Sequence, residues 1–462
     1  MIKLLDSSFI VAKLRRNVLI PLYWKYINRS KVFTYCQKLK EYQWNSLKEN
    51  QEIQRKKLYA LIQYASQNIP YYQQVIKEHN ITFAEDTILE DIKKFPLFTK
   101  EIIRNHFDEL HRFRDKTYYR NTSGGSTGEP VIFYQDKEYL DWANATKRLF
   151  NEWAGRKLGD PMVKLWGSLP EILGSGQGFK GYLRQQVSGI TILNTYRMTE
   201  EDMYKHVQKI NHIKPGLILA YTNSIEELTR FIQEHHLSVY SPPAVMTAAG
   251  VLYPEVKVKI EDVFHAPVFN CYGSREVSDM ACNCEKDEGL HLIPAIHYLE
   301  IVDDEGRQMK PGTPGNIIVT LLTNYTMPLI RYQIGDRGIL SEKACSCGRG
   351  FPLLKKVEGR IRCIFRNKQG DLIDGGVFIR LFYFRENIKQ FQVIQDSLEK
   401  ITINLVLKDK KQLKIIEKDF QEISESIKKI MRNNITIKYN LADVINTSPS
   451  GKYEYVFSKV KN

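Results

Sequence analysis

The sequence predicts an α/β protein with a large multi-layer N-terminal domain of parallel sheets, a small β lobe, and a small α+β C-terminal domain. Three patterns support this prediction. Short apolar runs alternate with helical stretches between about residues 115 and 355, a period-two alternation occupies residues 291–322, and the segment after residue 362 has two strand-like runs around one helix. Strands and helices that alternate at this spacing favour parallel sheets with crossover helices.

The elements follow in chain order. Residues 1–112 are predicted to be mainly helical, because apolar residues recur at helical spacing with charged residues between them. Buried strands are predicted in PMVKLWGSL, KPGLILAY and APVFNCYG, and helices in DMYKHVQKI and SIEELTRFIQEH. Asp-Glu-Gly and Pro-Gly turns interrupt the alternation over 291–322, which predicts an antiparallel hairpin lobe. We expect the N-terminal domain to span 1–358 and the C-terminal domain 359–462.

Composition excludes several classes of protein. The chain is 43% hydrophobic and 11% aromatic, with only 27 Gly and 17 Pro, so it is not a disordered, collagen-like or disulfide-stapled protein. Its formal net charge of +14 favours anionic partners. Nucleic acid, phosphorylated cofactors, acidic polysaccharide and membrane headgroups all satisfy that condition, and charge alone does not choose among them.

The opening stretch MIKLLDSSFIVAKLRRNVLIPLYWKYI is interrupted by Asp6, Lys13, Arg15, Arg16 and Asn17. It lacks the pattern of a secretory signal and the apolar run of about 20 residues that a membrane span needs. We therefore predict a cytoplasmic, reduced protein whose clustered cysteines indicate a metal rather than disulfides. The stretch has two interpretations: a basic amphipathic helix on a membrane surface, or a helix that packs on its own domain.

Residues 121–130, NTSGGSTGEP, form the sharpest local signal. Three glycines and four hydroxyl side chains give a flexible backbone whose N–H groups can surround phosphate oxygens. An ordinary turn is the alternative interpretation. The segment is neither a Walker A loop nor a nucleophile elbow, because the spacing of both motifs is absent.

Four further segments follow along the chain: NCYGSRE at 270–276, MPLIRYQIGD at 327–336, VEGR at 357–360 and PSGK at 449–452. Together with the glycine-rich segment, they resemble the motifs of the adenylate-forming enzymes. The resemblance is strongest to phenylacetate:CoA ligases and to the CapK-type proteins of capsular-polysaccharide gene clusters, and closer to the CapK type. Five motifs in this order identify the chain as similar to that superfamily.

The resemblance implies an AMP-forming ligase. A carboxylate and ATP would give an acyl-adenylate and pyrophosphate, and a nucleophile would then take the acyl group. The glycine-rich loop is implied to hold the β- and γ-phosphates through Ser123, Gly124, Ser126, Thr127 and Gly128. Glu129 stands where the family often has lysine, which weakens the electrostatic hold on the phosphates.

The resemblance also implies the residues around the nucleotide. Glu276 would bind Mg²⁺, a hard cation that prefers carboxylate and phosphate oxygens. Tyr272 would stack on adenine, and the Asp336 carboxylate would accept the ribose hydroxyls. The segments 221–224 and 247–250 would line the acyl and adenine pockets, and the small Ala248 and Ala249 would let a planar ring approach the backbone. The alternative interpretation of Tyr272 is ordinary core packing, and that of Glu276 is a carboxylate on the surface at the start of a helix.

Three basic residues complete the implied machinery. Arg331 would approach the phosphates or the acyl carboxylate, with a salt bridge to Asp336 or Glu276 as the alternative. Lys452 would bridge the incoming carboxylate and the α-phosphate. Arg360 would lie at the pivot of a mobile C-terminal domain. Ile361 and Arg362 follow it where relatives commonly have an acidic pair, so CoA as the acceptor stays an open question.

A second constellation is independent of catalysis. Cys284, His291, Cys345 and Cys347 are candidate ligands of a structural Zn²⁺, with Cys282 as a spare, because tetrahedral zinc takes four soft ligands. Free buried thiols are the alternative. Relatives carry a similar cysteine and histidine pattern.

The expected partners are a small-molecule carboxylate and an acceptor, either CoA or a nucleophile from polysaccharide metabolism in the cell envelope. The resemblance also allows a homodimer, and nucleic acid is not expected. The alternative hypothesis is a catalytically weakened protein that keeps the fold and binds anionic glycan or nucleic acid through its basic surface.

Overall fold

The computed structural model describes residues 7–113, 117–123, 131–166, 187–195, 198, 200–250, 252, 254–359, 364–369, 372–374, 376–382, 385, 387–407, 413–432, 435–443, 445 and 456–460. The chain divides into two compact units. The first comprises Met1–Asn121 with Phe133–Gly359, and the second comprises Thr122–Ile132 with Arg360–Asn462.

The first unit begins with helices. The helices α1 (Ser7–Leu14) and α2 (Ile20–Leu22) alternate with π-helical turns at Arg15–Leu19 and Tyr23–Ile27. Next come α3 (Val32–Tyr42), α4 (Leu47–Asn68), α5 (Pro70–Glu78), α6 (Ile88–Asp91) and α7 (Lys100–Asn105), with 3₁₀ turns at Ile92–Lys94 and Phe107–Glu109. A capping box between Ser46 and Glu49 starts α4, and Pro70 opens α5 because its ring fixes the backbone for a first helical turn.

An eleven-stranded sheet forms the body of this unit, and half of it is parallel. That half has the order β4-β3-β5-β6-β7. Its strands are β3 (Met162–Trp166), β4 (Ile190–Asn194), β5 (Leu217–Tyr221), β6 (Val245–Ala248) and β7 (Val268–Ser274). The helices around it are α8 (Lys137–Trp153), α9 (Glu200–Ile213), α10 (Thr222–Glu234) and α11 (Pro254–Phe264). The central strands are apolar and buried because helices cover a parallel sheet.

The other half of the sheet is antiparallel, in the order β7-β8-β9-β13-β12-β11-β10. Its further strands are β8 (Ser278–Asn283), β9 (Leu290–Leu292), β10 (His297–Val302), β11 (Gly315–Leu321), β12 (Tyr332–Leu340) and β13 (Leu353–Gly359). The β10–β11 hairpin pairs His297 with Leu321 and corresponds to the predicted lobe. A separate two-stranded sheet joins β1 (Tyr118–Thr122) to β2 (Ile132–Asp136).

The C-terminal part of the second unit is α+β. It contains β14 (Ile364–Arg366), β15 (Leu372–Asp374), α12 (Gly376–Phe382), β16 (Ile388–Ser397), β17 (Lys400–Leu407), α13 (Leu413–Met431), β18 (Thr436–Leu441) and β19 (Val456–Ser458). The four-stranded sheet has the order β18-β17-β16-β19. Ile423, Ile427 and Met431 of α13 recur at helical spacing and are buried in its core. The α/β class with a small α+β part is confirmed.

Among the described helices, none combines the length and the apolar character that crossing a membrane requires.

Gly350 lies against the turn that precedes α4. Its amide donates to the Gln43 carbonyl at 2.9 Å, and its carbonyl accepts from Asn50 Nδ2 at 3.0 Å. A Cβ atom at this position would overlap the backbone carbonyl oxygen of Asn45. The close approach of two backbone segments therefore requires glycine here.

We expect Gly350→Ala to lower the free energy of unfolding by about 2 kcal/mol or more, because either backbone segment would have to move. Gly216→Ala is the control, since the atoms nearest to its added Cβ lie at 3.4 Å or beyond. Urea unfolding of both variants checks this. Equal stability of the two variants would contradict the requirement for glycine at position 350.

Candidate functional site

The carboxyl ends of the parallel strands carry the first part of the candidate site. β3 ends at Trp166 and β5 at Tyr221, and the two rings stack with centroids 4.0 Å apart. Tyr221 is in register with Ala248 at the end of β6. Ala249, which follows, has a φ of 60°, a value uncommon outside glycine. Ligands of open α/β sheets bind at this edge, so both predicted alanines lie at a suitable place. Trp166 was not predicted as a site residue, although it lies within a predicted strand.

Glu276 lies in the turn between β7 and β8 and is only 4% exposed. Its Oε1 accepts a hydrogen bond from the Tyr332 hydroxyl at 3.2 Å and lies 3.6 Å from Lys100 Nζ. A buried carboxylate needs such partners, because desolvation of an unpaired charge is costly. The turn therefore holds a buried carboxyl group beside the Lys100 ammonium.

A hydrogen bond connects the predicted motifs at 270–276 and 327–336. The Tyr272 hydroxyl, on β7, donates to Asp336 Oδ2, on β12, at 3.0 Å. Four inter-strand steps separate these strands in the sheet order, which is about 19 Å in a flat sheet. The antiparallel half must therefore curl until β12 faces β7. The same curl brings Tyr332 to Glu276.

An extended segment before α7 brings Lys100 to Glu276. The Phe98 amide donates to the Arg331 carbonyl at 2.9 Å, and the Gln333 amide donates to the Phe98 carbonyl at 2.8 Å. Thr99 then caps α7, whose first residue is Lys100. Sequence reasoning missed Lys100 and the role of Tyr332. The threonine cap signals a helix start, but no pattern in the sequence pairs it with a carboxylate far along the chain.

The β1–β2 hairpin is anchored at the same turn. Gln135 Nε2, near the end of β2, donates to the Arg275 carbonyl at 2.9 Å, and Asn121 Nδ2 donates to Gln135 Oε1 at 3.2 Å. Between the two strands, Ser123 and Val131 exchange two hydrogen bonds, at 2.9 Å between Ser123 N and the Val131 carbonyl and at 3.0 Å between Val131 N and Ser123 Oγ. Ser123 thus closes the base of the predicted phosphate loop.

Six predicted site residues lie outside the described residues: Gly124, Ser126, Thr127, Gly128, Arg360 and Lys452.

Arg331 requires a correction. Its side chain is buried and forms a bidentate pair with the 1%-exposed Glu300, at 3.0 and 3.2 Å. Its other N–H groups donate to the carbonyls of Lys93, Phe95 and Gly306. All five guanidinium N–H groups are therefore engaged, and none is left for a phosphate or an acyl carboxylate. The expected alternatives, Asp336 and Glu276, are not its partners either. Arg331 instead connects strand β10, the turn after β10 and the segment 93–95.

Outside the nucleotide motifs, the structure brings together Cys284, His291, Cys345 and Cys347. Their ligand atoms all lie within 4.8 Å of one another. Cys284 Sγ is 3.7 Å from Cys345 Sγ, and Cys347 Sγ is 3.4 Å from His291 Nε2. Tetrahedral zinc with these ligands separates its donor atoms by about 3.8 Å, so the arrangement fits that ion.

The surroundings of these four side chains are compatible with binding of a metal ion. Backbone amides of Lys286 and Arg349 donate to the sulfurs of Cys284 and Cys347, both at 3.4 Å. Burial lowers the pKa of His291 to about 4, so its imidazole is neutral and able to coordinate. Burial raises the pKa of the Cys345 thiol to about 12. A cation at the centre would favour its thiolate.

The spare ligand does not belong to the cluster. Cys282 is fully buried, and its sulfur lies 3.2 Å from that of Cys271 on the neighbouring strand. Their Cα atoms are in register in the β7–β8 pair. The Cys282 side chain contacts Cys271. Of the two cysteines in the segment 282–284, only Cys284 belongs to the cluster.

Comparisons with known proteins agree with the motifs. Residues 365–459 match the family model of the CapK C-terminal domain. The chain is 23% identical over 415 residues to Protein CapK of Staphylococcus aureus, and the match covers 89% of each chain. It is 25% identical over 321 residues to the phenylacetate-coenzyme A ligase of Thermus thermophilus, covering 67% of this chain and 69% of that ligase. The chain is related to CapK and to the phenylacetate-CoA ligases.

Comparison with solved structures indicates the fold of the adenylate-forming ligases. A 2-hydroxyisobutyryl-CoA ligase in complex with 2-HIB-AMP and CoA has a TM-score of 0.60 at 18% identity, covering 90% of this chain and 91% of that one. The same ligase in the postadenylation state has a TM-score of 0.58 at 18% identity, covering 88% and 89%. These comparisons confirm the predicted resemblance to the adenylate-forming enzymes. A CoA-ligase activity is named for the phenylacetate-coenzyme A ligases and for the 2-hydroxyisobutyryl-CoA ligase.

We expect Glu300→Gln to lower the free energy of unfolding by about 3–5 kcal/mol, because the buried guanidinium of Arg331 would lose its counter-charge. The matched control is Glu305→Gln, which removes one partner of the exposed Arg307 and should change stability by less than about 0.5 kcal/mol. Denaturant unfolding measures both. A Glu300→Gln protein as stable as the control would contradict the structural role of this pair.

Proposed function

We propose that this protein activates a carboxylate with ATP, forming an acyl-adenylate and pyrophosphate. The observation that carries this proposal is the meeting of the 270–276 and 327–336 motifs through Tyr272–Asp336 and Glu276–Tyr332. Segments that are distant in the chain bring together the buried Glu276 carboxylate, the Lys100 cation and the Tyr272 ring. These groups lie at the edge of the sheet where ligands bind in open α/β folds. The names of the relatives support the same class of reaction.

The reaction joins two anions, so the site must supply positive charge and oriented donors. Lys100 is the cation nearest to Glu276 among the described residues and is a candidate contact for a phosphate oxygen. We assign to Lys452 the role that the resemblance implies, which is to bridge the carboxylate and the α-phosphate. The glycine-rich loop, including Ser123, is assigned to the β- and γ-phosphates.

Glu276 is the proposed Mg²⁺ ligand. It fits the ion because it is a buried carboxylate held in one orientation by Tyr332, and Mg²⁺ prefers one or two carboxylates together with substrate phosphates. When bound, Mg²⁺ would neutralise charge on the departing pyrophosphate. Lys100 can balance the carboxylate when the ion is absent.

The remaining residues are assigned to recognition of the substrates. Tyr272 is the proposed adenine platform, and Asp336 the acceptor of the ribose hydroxyls. Their mutual hydrogen bond orients both side chains before the nucleotide arrives, and a carboxylate is an acceptor suited to ribose hydroxyls. Ala248 leaves space beside Tyr221, whose stack with Trp166 offers an apolar wall for the acyl group. A ring or alkyl carboxylate suits that wall.

The acceptor of the acyl group is either CoA or a nucleophile from polysaccharide metabolism. The first is supported by the phenylacetate-CoA ligases and the second by CapK, which matches more of the chain. We place the protein in the cytoplasm, with a capsular or cell-envelope substrate. A catalytically weakened glycan-binding protein is the second candidate, favoured by Glu129 in the phosphate loop.

Pyrophosphate release with ATP, Mg²⁺ and a panel of carboxylates tests this proposal. Glu276→Gln keeps the shape but removes the charge, and Lys452→Ala removes the bridging cation. We expect each to lower the rate about a hundredfold or more. Glu227→Gln and Lys459→Ala are the controls, since both residues form surface ion pairs. Undiminished release by Lys452→Ala would contradict its role. The absence of carboxylate-dependent release from the parent protein would favour the binding protein instead.

We further propose that Cys284, His291, Cys345 and Cys347 hold a structural Zn²⁺. The ion would join the end of β8 and strand β9 to the loop before β13. A short β9–β13 pairing and the Ser346–Glu288 and Arg349–Glu285 contacts also connect these segments. Structural zinc contributes directly to folding stability because the ligands are not preassembled in the unfolded chain.

We expect one equivalent of zinc by elemental analysis, and Cys347→Ser to lower both the zinc content and the midpoint of thermal unfolding, the latter by roughly 6 °C or more. Cys36→Ser is the control, because Cys36 lies on α3 away from the cluster. A metal-free protein that unfolds at the same temperature as the parent would contradict the structural zinc.

A further inference from the structure

Exposed apolar side chains are concentrated on the N-terminal helical stretch. Between 41% and 64% of each of these residues is exposed to solvent. They are Ile10, Val11, Leu14, Val18, Leu22 and Tyr26. Five of them recur at every fourth position, which describes a stripe along one face. We call the six exposed residues together the apolar stripe.

The mixed helix type keeps the stripe straight. In a pure α-helix, a spacing of four residues drifts by about 40° at each step. Here π-helical turns at Arg15–Leu19 and Tyr23–Ile27 widen the helix, which reduces that drift. Ala12 and Ile20 are 6% and 5% exposed and pack on the rest of the unit. The stretch is therefore held by one face and presents the other to solvent.

The same stretch is strongly basic. From residue 7 to residue 40 there is no Asp or Glu. The cationic residues in that range are Lys13, Arg15, Arg16, Lys25, Arg29, Lys31, Lys38 and Lys40. Lys13, Lys25, Arg29 and Lys31 are exposed, so cations flank the apolar stripe on the solvent side.

A cavity that Arg16 of the stretch helps to line has five basic residues and one acidic residue, Glu152, in its wall. Its volume is about 650 Å³, and two of its cations are ion-paired, Arg16 with Asp160 and Lys40 with Glu152. Arg148 packs against the rings of Trp24 and Phe33, and it interacts electrostatically with Glu152.

We propose that this face binds the surface of a membrane that contains anionic lipids, with the apolar stripe inserted at the level of the headgroups. An apolar stripe flanked by Lys and Arg, with aromatic residues near its end, is typical of helices that lie in the membrane interface. A second copy of this chain would set like charges against each other across a two-fold axis. Nucleic acid would leave the apolar stripe in water.

Sedimentation of the full-length protein with vesicles tests this proposal. We expect binding to vesicles of phosphatidylglycerol and phosphatidylcholine in equal parts, much weaker binding to phosphatidylcholine alone, and weakening by salt. Leu14→Glu and Val18→Glu should each lower the partition coefficient roughly tenfold, because a carboxylate would enter the interface.

The matched controls are Leu47→Glu and Val258→Glu, which place the same charge on residues 48% and 53% exposed on other helices. They should bind vesicles as the parent does. Circular dichroism and thermal unfolding should be the same for all four variants, which separates lost binding from lost folding. Absent binding to anionic vesicles, equal loss in the controls, or a lipid-free dimer that Leu14→Glu dissociates would overturn the proposal. The outcome does not depend on the proposed catalytic activity.

Discussion

The curl of the antiparallel half of the large sheet is the constraint on which the candidate site depends. Tyr272 and Asp336 belong to strands separated by four inter-strand steps, yet their side chains form a hydrogen bond of 3.0 Å. In a flat sheet, the hydroxyl and the carboxylate would be too far apart to meet. The second contact, between Tyr332 and Glu276, depends on the same closure. Two motifs that are distant in the chain thereby become one site.

Burial of charge explains how the surrounding residues are used. Glu276 and Glu300 are both almost completely buried, and each has a cationic partner. Lys100 approaches Glu276 at 3.6 Å with one ammonium group, whereas Arg331 surrounds Glu300 with two hydrogen bonds and donates its remaining N–H groups to carbonyls. In the proposed function, the first pair exchanges partners with an incoming phosphate or Mg²⁺. The second is fully satisfied and therefore maintains the structure.

Much of the fold could be predicted from the sequence, because strand and helix periods are local properties. The apolar runs contain β3, β5 and β7, and the alternating segment contains the β10–β11 hairpin. The grouping of Cys284, His291, Cys345 and Cys347 could also be predicted, since few residue types can bind a soft cation. Lys100 and the correct role of Arg331 could not. Both depend on which oppositely charged group lies nearby after folding, and one basic residue resembles another in a sequence.

The sequence by itself determined the order of the elements, the class of chemistry that the motifs support, the set of soft ligands and the basic, acid-free character of residues 7–40. Only the tertiary structure decided that Cys284 rather than Cys282 joins the cluster, that Glu300 holds Arg331, and that the apolar stripe faces solvent. The physical reason is the same in each case. Side-chain type and local periodicity can be read directly from the sequence, whereas the partner of a side chain depends on strand register, sheet curvature and burial.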